Sequence, residues 1–134
     1  KPLIPMNGKC LLDTNIVIGL FAAEPTVMQG LREAEQVFIP SIVIGELYYG
    51  ALHSTRAEEN VARIEQLVAS GAILNCDGVT ARYYGHIKNE LRREGRPVPE
   101  NDLWIAALAL QYQLTLITRD KHFAEIPDLQ QQAW

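Results

Sequence analysis

Short apolar runs alternate with longer helical patterns along the chain. The runs are Lys9-Cys10-Leu11-Leu12, Gln36-Val37-Phe38-Ile39, Ala72-Ile73-Leu74-Asn75-Cys76 and Leu114-Thr115-Leu116-Ile117. Each has strand length and stops at turn or cap residues, the pattern of strands buried on both faces. Ile16 to Ala23 reads as a helix stopped by Glu24-Pro25, and Thr26 is expected to cap a second one to about Ala34. Ser41 is expected to cap Ile42 to Leu52, a segment apolar nearly all round and so expected to be buried. Arg56 to Ser70 is amphipathic, with Val61, Ile64, Leu67 and Val68 on one face and Gly71 as its stop. Val79 to Glu94 turns Tyr83, Tyr84, Ile87 and Leu91 inward and ends at Gly95. Arg96-Pro97-Val98-Pro99-Glu100 reads as a stiff loop, after which Asn101 is expected to cap Asp102 to Gln111. A last edge strand is expected near Leu129 to Gln132.

Strands alternating with helices imply βαβ units, hence an α/β fold: three layers, α/β/α, around a parallel sheet of four to five strands. The chain has 134 residues, with no internal repeat or linker, and a single domain over residues 1–134 is expected. Met6 is a candidate natural start, with residues 1–5 extraneous or disordered. No apolar run approaches the ~20 residues of a membrane span, and the opening segment lacks the features of a secretory signal. Cys10 and Cys76 lie far apart without metal-site spacing and read as small buried apolar residues, which favours a reduced, cytoplasmic setting. The net charge is −4, from 16 acidic and 12 basic residues. That balance counts against coating nucleic acid by charge alone, though not against an enzyme whose acids surround a cation.

Four acids stand out by position. Asp13 directly follows the first run and Asp120 lies just past the fourth, and ligands of open parallel sheets bind outside the carboxyl ends of the strands. Asp102 falls in the first turn of its helix, where the macrodipole favours a negative charge. Glu46 stands within Ser41-Ile42-Val43-Ile44-Gly45-Glu46-Leu47-Tyr48-Tyr49-Gly50 with no basic residue one turn away. A lone carboxylate on a buried helix is costly unless something pairs with it. Taken singly, Asp13 reads equally as a helix cap, Asp102 as a dipole partner and Asp120 as a turn residue. Jointly, all four can reach one end of one sheet. Carboxylates so crowded repel unless a cation neutralises them, and hard oxygen donors without clustered His or Cys favour Mg²⁺ or Mn²⁺. Such an ion activates water and screens a phosphate, the chemistry of phosphodiester cleavage.

Leu11-Leu12-Asp13-Thr14-Asn15 and the segment Ser41 to Gly50 resemble the first two motifs of PIN-domain ribonucleases. Asn101-Asp102-Leu103-Trp104-Ile105-Ala106-Ala107 and Leu116-Ile117-Thr118-Arg119-Asp120-Lys121-His122-Phe123 resemble the third and fourth. The likeness covers the chain from Lys9, no motif position departs from the pattern, and it is greatest to the VapC toxins of bacterial toxin–antitoxin pairs. The resemblance implies a five-stranded parallel sheet and Mg²⁺- or Mn²⁺-dependent endoribonuclease activity. It assigns Asp13, Glu46 and Asp102 to the acidic core and Asp120 to a more variable fourth place. Thr14 and Thr118 match polar positions that orient the carboxylates, and Asn101 is expected to act with them. It also implies an RNA substrate, a homodimer, and a cognate antitoxin whose basic or apolar segment fills the acidic cleft. The helices from Ile16 and Ile42 would supply the groove or the dimer face.

Lys88, Arg92 and Arg96 recur at helical spacing beside Arg93, and read either as a solvated face or as contacts to RNA phosphates. His53, His86 and His122 are scattered and read as structural or surface residues, and Trp104 and Tyr49 as core. The rival reading is a non-catalytic acidic-pocket module of the phosphoacceptor receiver kind. That fold needs paired acids after its first strand and an Asp ending its third. Here the first offers only Asp13, and the third ends in Asn75-Cys76-Asp77.

Overall fold

The structure, a computed structural model, describes residues 8–134; the expectation about residues 1–5 lies outside the described residues. The elements are β1 (Lys9–Leu12), α1 (Thr14–Phe21), α2 (Pro25–Glu33), β2 (Gln36–Pro40), α3 (Ser41–Leu52), α4 (Ala57–Ser70), β3 (Ala72–Leu74), α5 (Gly78–Arg93), α6 (Glu100–Tyr112), β4 (Thr115–Ile117), a 3₁₀ turn (Lys121–Glu125) and β5 (Gln131–Gln132). The strands form one parallel sheet in the order β3-β2-β1-β4-β5. Its strands are apolar on both faces because helices cover both. Cys10, Leu11, Leu12, Leu116 and Ile117 are all essentially inaccessible. Burying each of the leucines and isoleucines contributes about 1.5–3 kcal/mol against leaving it exposed.

Strand order places the site. The chain moves from β1 outward through β2 to β3, then crosses back by α5 and α6 to β4 on the other side of β1. The order in which strands are added therefore reverses between β1 and β4, and a crevice opens outside the carboxyl ends of strands at such a point. Leu12 pairs with Ile117 at the last rung of the β1–β4 ladder. The residues that follow, Asp13-Thr14 and Thr118-Arg119-Asp120, are thus brought side by side from opposite ends of the chain.

Three helix starts differ from expectation for one reason. Prolines supply the extended residue that enters each helix, or its first helical residue, so the polar residue behind them is not needed as a cap. Pro40 precedes α3, which begins at Ser41 itself; Pro99 precedes α6, which begins at Glu100 rather than after Asn101; and Pro25 opens α2, with Glu24 rather than Thr26 at the cap. None of the three starts has a side-chain capping bond. Asp77, by contrast, makes a reciprocal capping box with Thr80 at the start of α5.

α3 is not buried all round, as its composition suggested. Val43, Ile44, Leu47 and Ala51 face the core, while Tyr49 and Leu52 are 69% and 66% exposed. A helix laid on a sheet has one side against it and another in solvent, whatever its composition. Tyr83 and Val68 are likewise exposed rather than inward-facing. No helix among the described residues is long and apolar enough to cross a membrane.

Candidate metal centre

Asp13 follows β1 and caps α1, and its carboxylate is almost fully buried at 5% exposure. Three donors hold it. Thr14 N–H donates to Oδ1 at 2.8 Å, Thr118 Oγ1 to Oδ2 at 2.6 Å, and Asn15 Nδ2 to Oδ2 at 3.4 Å. The capping role and the site role thus coincide in one side chain. Burial raises the Asp13 carboxyl above its usual range, the Thr118 and Thr14 hydrogen bonds pull it back, and the charge of Asp120 raises it further.

Two threonines join the acids to one another. Thr14 uses its N–H on Asp13 and its hydroxyl on Glu46 Oε1, at 2.8 Å, so α3 is tied to the start of α1. Thr118 donates to Asp13 and accepts the Asp120 N–H at 3.0 Å, tying the β4 exit to the β1 exit. Asn15 Oδ1 accepts the Arg119 N–H at 3.2 Å across the same gap. Each threonine hydroxyl thus donates to one of the acids. Asn101 does not: it is exposed, and its amide hydrogen-bonds none of the acids. It stands two residues inside the proline-led start of α6, turned to an open trough that it shares with Thr14 and Glu46.

Glu46 is exposed, so the argument from a buried lone carboxylate fails. What places it is the open side of α3 and the Thr14 hydroxyl.

Asp102, in the first turn of α6, is the most perturbed acid. Its carboxyl is pushed up to about 6 by burial first, then by the charges of Asp120, Asp13 and Glu46, with His122 opposing. The positive end of α6 acts the other way and is outweighed. Desolvation plus three carboxylates exceeds one partial charge. The charges of the other three acids all reach Asp102, so the four lie at one end of the sheet.

Asp102, Asp120 and His122 offer donor atoms that lie within 4.8 Å of one another. His122 Nδ1 lies 3.0 Å from Asp120 Oδ1 and 3.4 Å from Asp102 Oδ2, and Asp120 Oδ1 also accepts the His122 N–H at 2.9 Å. Sequence reasoning set His122 aside as a surface residue. Its signal was there: two residues after an acid in a tight turn, a side chain folds back on that acid. The imidazole, more than half exposed, reaches both carboxylates from the solvent side. The donor set suits a hard divalent ion, since its members are crowded carboxylate oxygens held by hydrogen bonds, with one nitrogen at the rim.

The four basic candidates separate. Lys88 pairs with Glu100 at 2.7 Å and Arg96 pairs with Glu125, whereas Arg92 and Arg93 are exposed and make no ion pair among the described residues. Arg96 also lies beyond α5, past Gly95, whose positive φ of 67° ends the helix, so it is not on a helical stripe with Lys88. Trp104 is half-buried and stacked on Tyr84 at 4.2 Å, while Tyr49 is a surface residue rather than core. Both cysteines are free, Cys10 buried and Cys76 partly so.

Residues 10–129 match the PIN domain family. The chain is 36% identical over 129 residues to ribonuclease VapC1 of Haemophilus influenzae, covering 92% of this chain and 96% of that protein. It is 34% identical to the tRNA(fMet)-specific endonuclease VapC of Shigella flexneri, covering 94% and 98%. Its fold superimposes on a chain of the Rickettsia felis VapBC2 complex bound to a promoter DNA fragment, with a TM-score of 0.86 and 29% identity over 94% of this chain and 98% of that one. With its acids gathered at the β1–β4 reversal, the chain belongs to the PIN domain family, in its VapC group.

Proposed function

We propose that this protein is a Mg²⁺- or Mn²⁺-dependent endoribonuclease, the toxin of a cytoplasmic toxin–antitoxin pair. The observation that carries the reading is the gathering of Asp102, Asp120 and His122 donor atoms within 4.8 Å of one another beside Asp13, a crowding that also raises Asp102 and that a divalent cation would relieve. Asp13, Asp102 and Asp120 would hold the metal. A bound ion would lower the pKa of a water and screen charge on the scissile phosphate. Thr118 and Thr14 fix the carboxylates before the substrate arrives. Thr14 takes Glu46 Oε1 and leaves Oε2, which would complete the metal's shell or position the attacking water; in-line attack would leave a 5′-phosphate and a 3′-hydroxyl.

A groove of about 460 Å³ between α1, α3 and α4 supports the partner reading. Its lining includes Ile18, Phe21, Leu47 and Ile64, and it runs up to Thr14 and Glu46. An apolar antitoxin segment with a basic end would fill the groove and neutralise the acids together. The exposed apolar side of α3, with Tyr49 and Leu52, supplies a homodimer face.

The test is cleavage of tRNA(fMet), the substrate named for the Shigella flexneri relative, and of total RNA by purified protein. Cleavage is expected with Mn²⁺ or Mg²⁺, and at least a hundredfold loss with excess EDTA or in Asp13→Asn. Cleavage that survives both would overturn the mechanism.

A further inference from the structure

A second depression, about 430 Å³, is lined by Ser41, Ile42, Asn75, Cys76, Asn101 and Trp104. It shares Ile42 and Asn101 with the open trough that holds Thr14 and Glu46, so the two form one path leading away from the acids. Topology says where the path goes. Ser41 directly follows β2 and Asn75 directly follows β3, so it runs along the carboxyl edge of the sheet from β1 towards β3. Two strand spacings separate β1 from β3, roughly 10 Å. A residue flanking the scissile phosphate of a polynucleotide spans such a distance.

The lining chemistry narrows what fits. Among the described residues no Lys or Arg lines either depression, and Glu46 stands in the first, so a phosphate would meet neutral groups and a carboxylate. Instead the second depression presents two amides and a hydroxyl. Among the described residues, the Asn75, Asn101 and Ser41 side chains make no hydrogen bond to other protein groups. Each amide offers donors and an acceptor on one short arm, the combination that reads a base edge. Trp104 supplies a rigid aromatic wall, since its ring is stacked on Tyr84 and the Tyr84 hydroxyl is anchored on Glu100 at 2.5 Å. The Cys76 thiol, raised by burial and by Asp77, stays neutral and adds no charge. Unpaired RNA bases are recognised by this pairing of aromatic surface and edge-reading polar groups.

We infer that the depression bounded by Asn75, Asn101 and Trp104 is a base-reading subsite, which takes one unpaired nucleobase beside the cut and sets the sequence at which RNA is cleaved. The inference rests on the ribonuclease reading above.

Its test is cleavage of a sequence-randomised RNA by the full chain in Mn²⁺, with the new ends mapped, for wild type, Asn75→Ala and Asn101→Ala. Both asparagines are exposed, so the variants keep the fold. Wild type should prefer one base at a position beside the cut. Each variant should weaken that preference about fivefold or more, the lower end of what one paired amide contributes. Preferences elsewhere, and the rise in melting temperature on adding Mn²⁺, should match wild type. The subsite is overturned if wild type has no base preference, or if both variants keep the wild-type profile. It is equally overturned if they lose cleavage of all sequences together with the Mn²⁺ response, or lose only antitoxin binding. If wild-type protein cuts no RNA at all, the ribonuclease reading falls, and the subsite with it.

Discussion

Asp102 shows how the site is held in tension. Its carboxyl rises from 3.8 to about 6, through burial and three neighbouring acids. An acid raised on folding favours the folded state only while protonated. Its contribution is present below about pH 4 and is lost as pH rises through about 6, a change on the order of 2–3 kcal/mol. In EDTA, Asp102→Asn should therefore melt close to wild type at pH 4 and several degrees above it at pH 7, read by scanning calorimetry. It should also lose the Mn²⁺ stabilisation expected of wild type at pH 7. Equal melting temperatures at both pH values would refute the repulsion account. Thr118 is the converse case, a buried hydroxyl that serves two acids. Thr118→Val removes its bond to Asp13 and the acceptor for the Asp120 N–H while keeping the shape. Stability should fall by about 1–3 kcal/mol in urea, and RNA cleavage by about 10–100-fold.

At the scale of elements, the C-terminal end of the chain locks α2 and the β4 exit together. The Trp134 ring lies against Gly30 of α2 so closely that a Cβ there would meet ring carbon Cδ2 at 2.3 Å. Arg119, between Thr118 and Asp120, donates to the Trp134 carbonyl at 3.0 Å and pairs with Glu24 at 3.0 Å. The Thr118-Arg119-Asp120 turn is thus braced by α2's entry and the last residue of the chain. Gly30→Ala should force the indole out, at a cost of about 1–3 kcal/mol or more, visible as a red-shifted tryptophan emission and a lower urea midpoint. Unchanged emission and midpoint would show that the tail is not part of the lock.

At the scale of the whole molecule, the apolar groove and the acidic site are continuous, so one partner segment can cover both. Ile18 is 55% exposed on the groove wall, and a charge there does not touch the core. Ile18→Glu should weaken binding of the cognate antitoxin at least tenfold by calorimetric titration, yet keep the Mn²⁺ thermal shift. Wild-type affinity in this variant would move the antitoxin to another face. The domain expectation over residues 1–134 stands as a proposal that limited proteolysis can test by a single protected fragment.

The period of apolar positions by itself determined the parallel α/β architecture, and motif spacing picked out Asp13, Glu46, Asp102 and Asp120. Both rest on local properties: strands buried on two faces must be apolar throughout, and acids that follow strand ends, as Asp13 and Asp120 do, must lie on one edge of a parallel sheet, while Glu46 and Asp102 were marked by their motifs. Only the tertiary structure decided how the acids are held. Thr118 reaches Asp13 across 105 positions of sequence, and no spacing rule carries that bond. Glu46 owes its place to the open side of α3 rather than to burial, because which side of an apolar helix meets solvent depends on its neighbours. His122 joined the acid cluster through the fold of one turn, and Asn101 faces the trough without bonding an acid because Pro99, not Asn101, caps α6. Charge pairing likewise needed three dimensions, since Glu100 and Glu125 take up Lys88 and Arg96 and leave Arg92 and Arg93 without an ion pair among the described residues.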